Sequence, residues 1–210
     1  MLLHNAAHNS NVDNPEIVID SVNMSLHDRA LVEKDYVQLS DSLICSLQNL
    51  KAVGAEIAAI TANTEHIVWD MIYPRLPIPV ISIVDVTINE IKRRGFKKVL
   101  VFGTTFTLQS GLYETAMEKA GLTAIIPTDT DISIIGSLIY PNLENGIVIP
   151  DDKQKLIELA EKYISDENAD SLLLGCTELS LAIKSCDVSV PILDTTKIHI
   201  GEIYRQAVEM

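Results

Sequence analysis

The sequence predicts an α/β protein of two pseudo-symmetric lobes, each a mainly parallel sheet flanked by helices, with a cleft between them. Three observations carry that expectation. Short apolar runs alternate with stretches of helical spacing along the 210 residues, as they do in parallel sheets built from strand–helix units. Several of the runs are rich in Val, Ile and Leu on both faces, as strands covered by helices on two sides are. One phrase is also written twice. Ala59-Ile60-Thr61-Ala62-Asn63-Thr64-Glu65-His66 and Leu172-Leu173-Leu174-Gly175-Cys176-Thr177-Glu178-Leu179 are each an apolar run, a small residue and a polar cluster. With Cys176 set on Ala62, Gly54-Ala55-Glu56 falls on Asn168-Ala169-Asp170, and Ile78-Pro79-Val80-Ile81 echoes Val190-Pro191-Ile192-Leu193.

From the start, Leu2–Asn9 reads as the end of a helix. The first lobe is therefore expected to lack its opening strand and glycine-rich turn. Strands are expected at Glu16–Val22, Glu56–Ile60, Val80–Val84, Lys98–Phe102, Thr123–Ile126, Ser171–Leu174 and Val190–Leu193. From Asp28 to Val53, apolar residues recur at Leu31, Val32, Val37, Leu43, Ile44, Leu47 and Leu50. That spacing predicts one helix, with Gly54 as its stop. Further helices are expected over Ser110–Ala120, stopped by Gly121, and over Asp131–Tyr140, stopped by Pro141. Asp151–Ile164 and Ile198–Met210 complete the set. The lobes divide as 1–85 with 198–210, and 86–197.

Composition narrows the function. The chain is 47% hydrophobic and 21% charged, which is globular. A net charge of −13 argues against nucleic acid, whose phosphates demand a basic face. The basic run Lys92-Arg93-Arg94 with Lys97-Lys98 reads as a solvated helix end and strand entry. There is no apolar stretch of transmembrane length and no signal-peptide pattern at the start. Three cysteines, Cys45, Cys176 and Cys186, form no CxxC and read as reduced thiols in a cytoplasmic protein. The five histidines show no metal-site spacing, so no metal is expected.

In open α/β sheets ligands bind beyond the carboxyl ends of strands. Three clusters occupy that position: Ala62–His66, Gly103-Thr104-Thr105-Phe106-Thr107, and Gly175–Glu178. Their amides and hydroxyls suit an anion, while GxGxxG and a P-loop Lys are missing. Cys176 is the leading candidate for chemistry, at a strand end and expected helix start where a dipole favours the thiolate. Its competing reading is a small buried apolar residue; for Cys45, mid-helix, and Cys186, in a turn, that plainer reading stands. Glu178 can steer the thiol or accept from a substrate ammonium, or simply favour a helix start. Asn63 and Thr64 can hold a carboxylate, or cap a helix. His66 and His199 can carry a proton but read first as packing histidines, and Arg29 as a surface residue that can reach the cleft.

At these residues the chain resembles the cofactor-independent aspartate/glutamate racemase family, over nearly its whole length. Leu174-Gly175-Cys176-Thr177-Glu178 matches that family's second cysteine motif, and Ala62-Asn63-Thr64-Glu65-His66 its first, usually Cys-Asn-Thr-x-His or Thr-Asn-Thr. Phe102–Thr107 and Asp194-Thr195-Thr196 are similar to further family segments. Asp28-Arg29 resembles a family pair whose Arg binds a substrate carboxylate. The resemblance implies two acid/bases flanking the Cα of an amino acid, one removing the proton and the other protonating the opposite face, with neither pyridoxal phosphate nor metal. It implies catalytic positions at Cys176 and residue 62. Substrate-binding roles are implied for Arg29, Asn63, Thr64, Thr104, Thr107, Thr177 and Glu178. It also implies a small amino-acid or dicarboxylic-acid substrate and a homodimer.

Three departures stand out. Ala62 cannot carry a proton, the family's opening strand is expected to be missing, and Glu144 stands in the Leu143–Gly146 loop where aspartate-specific members place a Lys. The expectation is therefore a racemase or epimerase with Cys176 as one acid/base and Thr61, Thr64 or water serving the other face. Its rivals are a one-base enzyme (decarboxylase, isomerase or α-proton exchange) and a binding protein for a small acid.

Overall fold

The computed structural model describes residues 15–209; the helix end expected at Leu2–Asn9 lies outside them. The chain forms an α/β fold with parallel sheets flanked by helices. Backbone contacts divide it into two compact units. Among the described residues, the first holds 15–60, Val68–Ile81 and 199–209; the second holds Thr61–Ile67 and Ser82–Ile198.

In the first unit, Asn23 caps helix Met24–Glu33 by accepting from the amide of Ser25 at 3.2 Å. That helix stops at Lys34, which sits in the left-handed region at φ 55. Asp35 then caps a second helix, Tyr36–Ala52, accepting from the amide of Gln38 at 3.0 Å. The single helix expected from Asp28 to Val53 is thus two. Glu33-Lys34-Asp35 carries no apolar side chain, and an Asp there makes a better N-cap than a helix interior residue. The second helix buries Leu39, Leu43, Ile44 and Leu47. Strand β1 (Ala58–Ala59) pairs in parallel with β2 (Val80–Ile81) over two residues each. The strand expected at Glu16–Val22 does not form: residues 15–23 have no regular structure, and Ile17, Val18 and Ile19 are exposed. Among the described residues β1 and β2 pair only with each other, so no ladder receives a third strand's backbone groups. Helix Thr195–Glu209 ends in this unit, with His199 buried and its Nε2 donating to the carbonyl of Ile81 at 2.8 Å.

The second unit is built on a four-stranded parallel sheet. Its strands are β3 (Lys98–Gly103), β4 (Thr123–Ile125), β5 (Ser171–Gly175) and β6 (Ile192–Asp194), in the order β4-β3-β5-β6. Both faces are covered. Leu100, Phe102, Leu172 and Leu174 pack on one side with Ile135, Leu156 and Ile164. Val99, Val101, Leu173 and Leu193 pack on the other with Ile88, Ile91 and Met117. Each buried Leu contributes about 1.5–3 kcal/mol of transfer free energy, so the centre of this sheet is firmly held. The apolar run expected as a strand over Val80–Val84 breaks at Ser82. Its side chain accepts from the amide of Asp85 at 3.2 Å and starts helix Ile83–Arg94, which turns Ile83 and Val84 into helical core residues. The helix expected over Ser110–Ala120 is Leu112–Lys119, preceded by a separate short helix, Thr105–Gln109. Gly111, at φ 71, makes the break.

Candidate active site

The carboxyl ends of the sheet strands put the polar clusters side by side. Gly103 at the end of β3 stands in register with Gly175 at the end of β5, and Leu174 with Asp194 on β6. Thr104, Cys176 and Thr195 therefore follow three adjacent strand ends. Close approach requires glycine at 175: a Cβ there would lie 3.0 Å from the carbonyl oxygen of Phe102 and 3.3 Å from the ring of Tyr113.

The segment Thr61–Ile67 belongs to this same unit and is tied to those strand ends by side chains. Thr64 Oγ1 lies 3.2 Å from Thr104 Oγ1 and 3.0 Å from Thr107 Oγ1, and the last two hydroxyls are 3.0 Å apart. Thr104 also caps helix Thr105–Gln109, accepting from the amide of Thr107 at 3.2 Å. Asn63 is buried and engaged at both ends of its amide. Tyr113 donates its hydroxyl to Asn63 Oδ1 at 2.5 Å, and Asn63 Nδ2 donates to Thr195 Oγ1 at 3.2 Å. Thr195 in turn donates to the carbonyl of Leu174 at 2.8 Å, two residues before Cys176. A continuous chain of hydrogen bonds thus joins the two repeated phrases. Burial pushes the Tyr113 phenol well above its ordinary pKa, so it stays a donor.

His66 holds the backbone of residue 62. Its Nδ1 donates to the carbonyl of Ala62 at 2.9 Å, and its Nε2 accepts from the amide of Ile83 at 3.4 Å. One imidazole nitrogen gives and the other receives, which is the neutral ring in a single tautomer. Burial holds the His199 imidazole below its usual pKa in the first unit.

Cys176 is 6% exposed and belongs to the apolar cluster on one face of the sheet. Its thiol donates to Glu178 Oε2 at 3.1 Å. Here the expectation of a thiolate favoured by a helix start is overturned. The helix that follows is Leu179–Ala182, a single turn with little dipole to offer. Burial, and then the charge of Glu178 beside it, push the Cys176 thiol up to about 12, against a smaller opposing pull from the amides of Glu178 and Leu179. At neutral pH the resting side chain is a thiol, poised to give a proton. Thr177 and Glu178 are half-buried in the turn, and the Thr177 carbonyl accepts from Ser180 Oγ at 3.0 Å. Cys45 and Cys186 are both exposed, so neither is the buried filler expected of it.

Of the residues singled out in the sequence, Thr64, Thr104 and Thr107 come together directly, Asn63 meets Tyr113 and Thr195, and Cys176 meets Glu178. Arg29 is an exposed residue on helix Met24–Glu33 of the first unit, and Glu144 is exposed in a short 3-10 turn of the second. Tyr113 escaped the sequence reading: it sits at an apolar helix position, and its importance lies in contacts fifty and more residues away. Thr195 was visible only within a family-like segment. Among the described residues, no three His, Cys, Asp or Glu side chains gather as metal ligands do, and no helix is long and apolar enough to cross a membrane.

Comparison with known proteins agrees with this architecture. The Asp/Glu/hydantoin racemase family matches residues 2–203. The chain is 26% identical over 190 residues to the broad-specificity amino-acid racemase of Bacillus subtilis (strain 168), covering 89% of this chain and 79% of that one. It is 27% identical over 136 residues to the glutamate racemase of Aquifex aeolicus (strain VF5), where the match takes in 63% of this chain and spans only 50% of the relative. The crystal structure of an aspartate racemase homologue from Pyrococcus horikoshii OT3 superposes with a TM-score of 0.83 at 31% identity, over 98% of this chain and 90% of that one. With the family matched across almost the whole sequence and its fold reproduced, the chain belongs to the Asp/Glu/hydantoin racemase family and is an enzyme of the amino-acid racemase type, an isomerase.

Proposed function

We propose that Cys176 is the acid/base for proton transfer at the Cα of a small amino acid, and that the opposite face, where residue 62 is Ala, is served only by water or a threonine hydroxyl. The observation that carries this is the hydrogen-bonded chain Tyr113–Asn63–Thr195–Leu174, which ties the Ala62 segment and the Cys176 segment together at the strand ends of one sheet. The hydroxyls of Thr64, Thr104 and Thr107 offer donors for a substrate carboxylate. In that role they would stabilise charge that builds on the carboxylate as the α-proton leaves.

Removal of the α-proton leaves its electron pair delocalised into the carboxylate, and the proton passes to the Cys176 sulfur as thiolate. Return from the same sulfur restores the starting enantiomer, with deuterium if the thiol has exchanged with solvent. Inversion needs a proton from the other side. A threonine hydroxyl is a poor donor and base near neutral pH, so inversion is the slow outcome. A one-base enzyme on the same scaffold is the rival favoured by Ala62. A panel of amino acids incubated in D2O separates the possibilities. The proposal predicts deuterium at Cα with slower loss of chirality, both removed by Cys176→Ser. Calorimetric binding with neither exchange nor inversion would leave only a binding protein. The proposed role of Arg29 in carboxylate binding predicts a raised KM in Arg29→Ala. A homodimer in the cytoplasm belongs to the same proposal, and light scattering in solution tests the dimer.

A further inference from the structure

Helix Asp129–Ile139 carries a buried glycine in its interior, Gly136. Glycine is the poorest helix former after proline, and here its lack of a side chain sets a distance. A Cβ at 136 would lie 2.4 Å from Thr105 Oγ1, about 1 Å inside ordinary van der Waals contact. Neither side has slack. Ile135, Leu138 and Ile139 hold the helix in the apolar cluster that contains Leu100 and Phe102 of β3. Thr105 opens the short helix Thr105–Gln109 directly after Gly103 and Thr104. Gly103 is itself tight: a Cβ there would lie 3.3 Å from the carbonyl oxygen of Gly175 and 3.4 Å from Thr107 Cγ2. Thr105 is β-branched and stiff at χ1. Two of its three staggered rotamers put a heavy atom against residue 136, and the third swings hydroxyl and methyl to new places in the same turn.

Resting on the carboxylate role proposed for the threonine hydroxyls, we propose that Gly136 is a positioning residue for them. By admitting Thr105 it sets the place of Thr104 and Thr107, and so the spacing of the hydroxyls offered to a substrate carboxylate. Gly136 acts through Thr105, which adjoins Thr104 in the chain and stands two residues before Thr107. Those two hydroxyls lie 3.0 Å apart, and Thr64 Oγ1 lies 3.2 Å from the first and 3.0 Å from the second. Thr104 Oγ1 also accepts from the amide of Thr107 at 3.2 Å. A displacement of Thr105 therefore reaches all three hydroxyls. Such a ring tolerates little movement, because a pair drawn out to about 3.6 Å is no longer hydrogen-bonded.

The test is a double-substitution cycle at 136 and 105. It is read by kcat/KM for deuterium exchange at the Cα of alanine and by the methyl NMR signals of Thr64, Thr104 and Thr107. With Thr at 105, Gly136→Ala is expected to lower kcat/KM about tenfold and to move the methyl signals. On a Thr105→Ala background the same substitution is expected to do neither, because the added methyl then faces only the Cβ of residue 105 at 3.8 Å, an ordinary contact. Thr105→Val crowds the same space from the other side and is expected to act in the same direction by less; it carries the test where Gly136→Ala does not fold. A role in stability alone would lower the denaturation midpoint and leave kcat/KM and the methyl signals of the folded protein in place. That result, or a loss that persists undiminished on the Thr105→Ala background, would overturn the proposal. If the native chain neither exchanges nor binds alanine, the carboxylate reading of the hydroxyls fails, and the methyl signals still decide whether Gly136 positions them.

Discussion

The two repeated phrases look alike in sequence and do different work in the fold. In Ala62–His66 the polar side chains are spent on holding the segment itself: His66 grips the Ala62 carbonyl and the Ile83 amide, Asn63 lies between Tyr113 and Thr195, and Thr64 meets two further threonines. In Gly175–Glu178 the backbone is placed by a central strand, and the side chains of Cys176 and Glu178 meet each other, a thiol facing a carboxylate. A strand buried on both faces needs no side-chain clasps to fix its end. A segment that follows a two-residue strand, β1, does. The copy that lost its proton carrier is thus the copy whose polar groups mainly position.

That contrast can be broken most forcefully at residue 62. Ala62→Cys places a thiol on the clasped segment, and if this segment still addresses the opposite face, inversion should rise by about 10²–10⁴, the usual worth of a positioned acid/base. Enantiomer ratios over time by chiral chromatography measure it. Next in size is Tyr113→Phe, which leaves Asn63 Oδ1 buried without its donor. A loss of about 1–3 kcal/mol in unfolding free energy is expected, read by denaturant titration, together with a weakened hold on the Ala62 segment.

The last effect is one of pH, and it is small over any single pH unit. The folded-state pKa of Cys176 lies above the ordinary thiol value, at about 12. The unfolded chain therefore loses this proton first as pH rises. The stability tied to the thiol is complete below the unfolded pKa and falls between that value and about 12, at about 1.4 kcal/mol per pH unit. Subtracting the same titration of Cys176→Ser isolates the slope from other groups.

How far the sequence reveals this molecule depends on where the determining contacts lie. Leu172-Leu173-Leu174 was readable as a buried strand because its signal is local: apolar on both faces and closed by a glycine. Ile17-Val18-Ile19 carries a similar local signal and forms no strand, because a strand also needs a partner ladder, which no local pattern reports. The breaks at Lys34 and Ser82 were missed for a related reason: capping by Asp35 and Ser82 outcompeted the apolar periodicity running through them. At the site, the residue types of the two motifs were legible, and the clustering of Thr64 with Thr104 and Thr107 followed from their place at strand ends. The charge state of Cys176 was not. It depends on the depth of burial and on the rotamer that brings Glu178 to the sulfur, and both are tertiary facts.

The central claim is that this enzyme handles the α-proton well from one face and poorly from the other. Its direct test is the ratio of Cα deuterium exchange to chiral inversion for a single turned-over amino acid in D2O, in the native chain and in Ala62→Cys. Exchange that outruns inversion in the native chain, with the two rates converging in Ala62→Cys, is the predicted result. Inversion keeping pace with exchange in the native chain, or a ratio unmoved by the substitution, would contradict it.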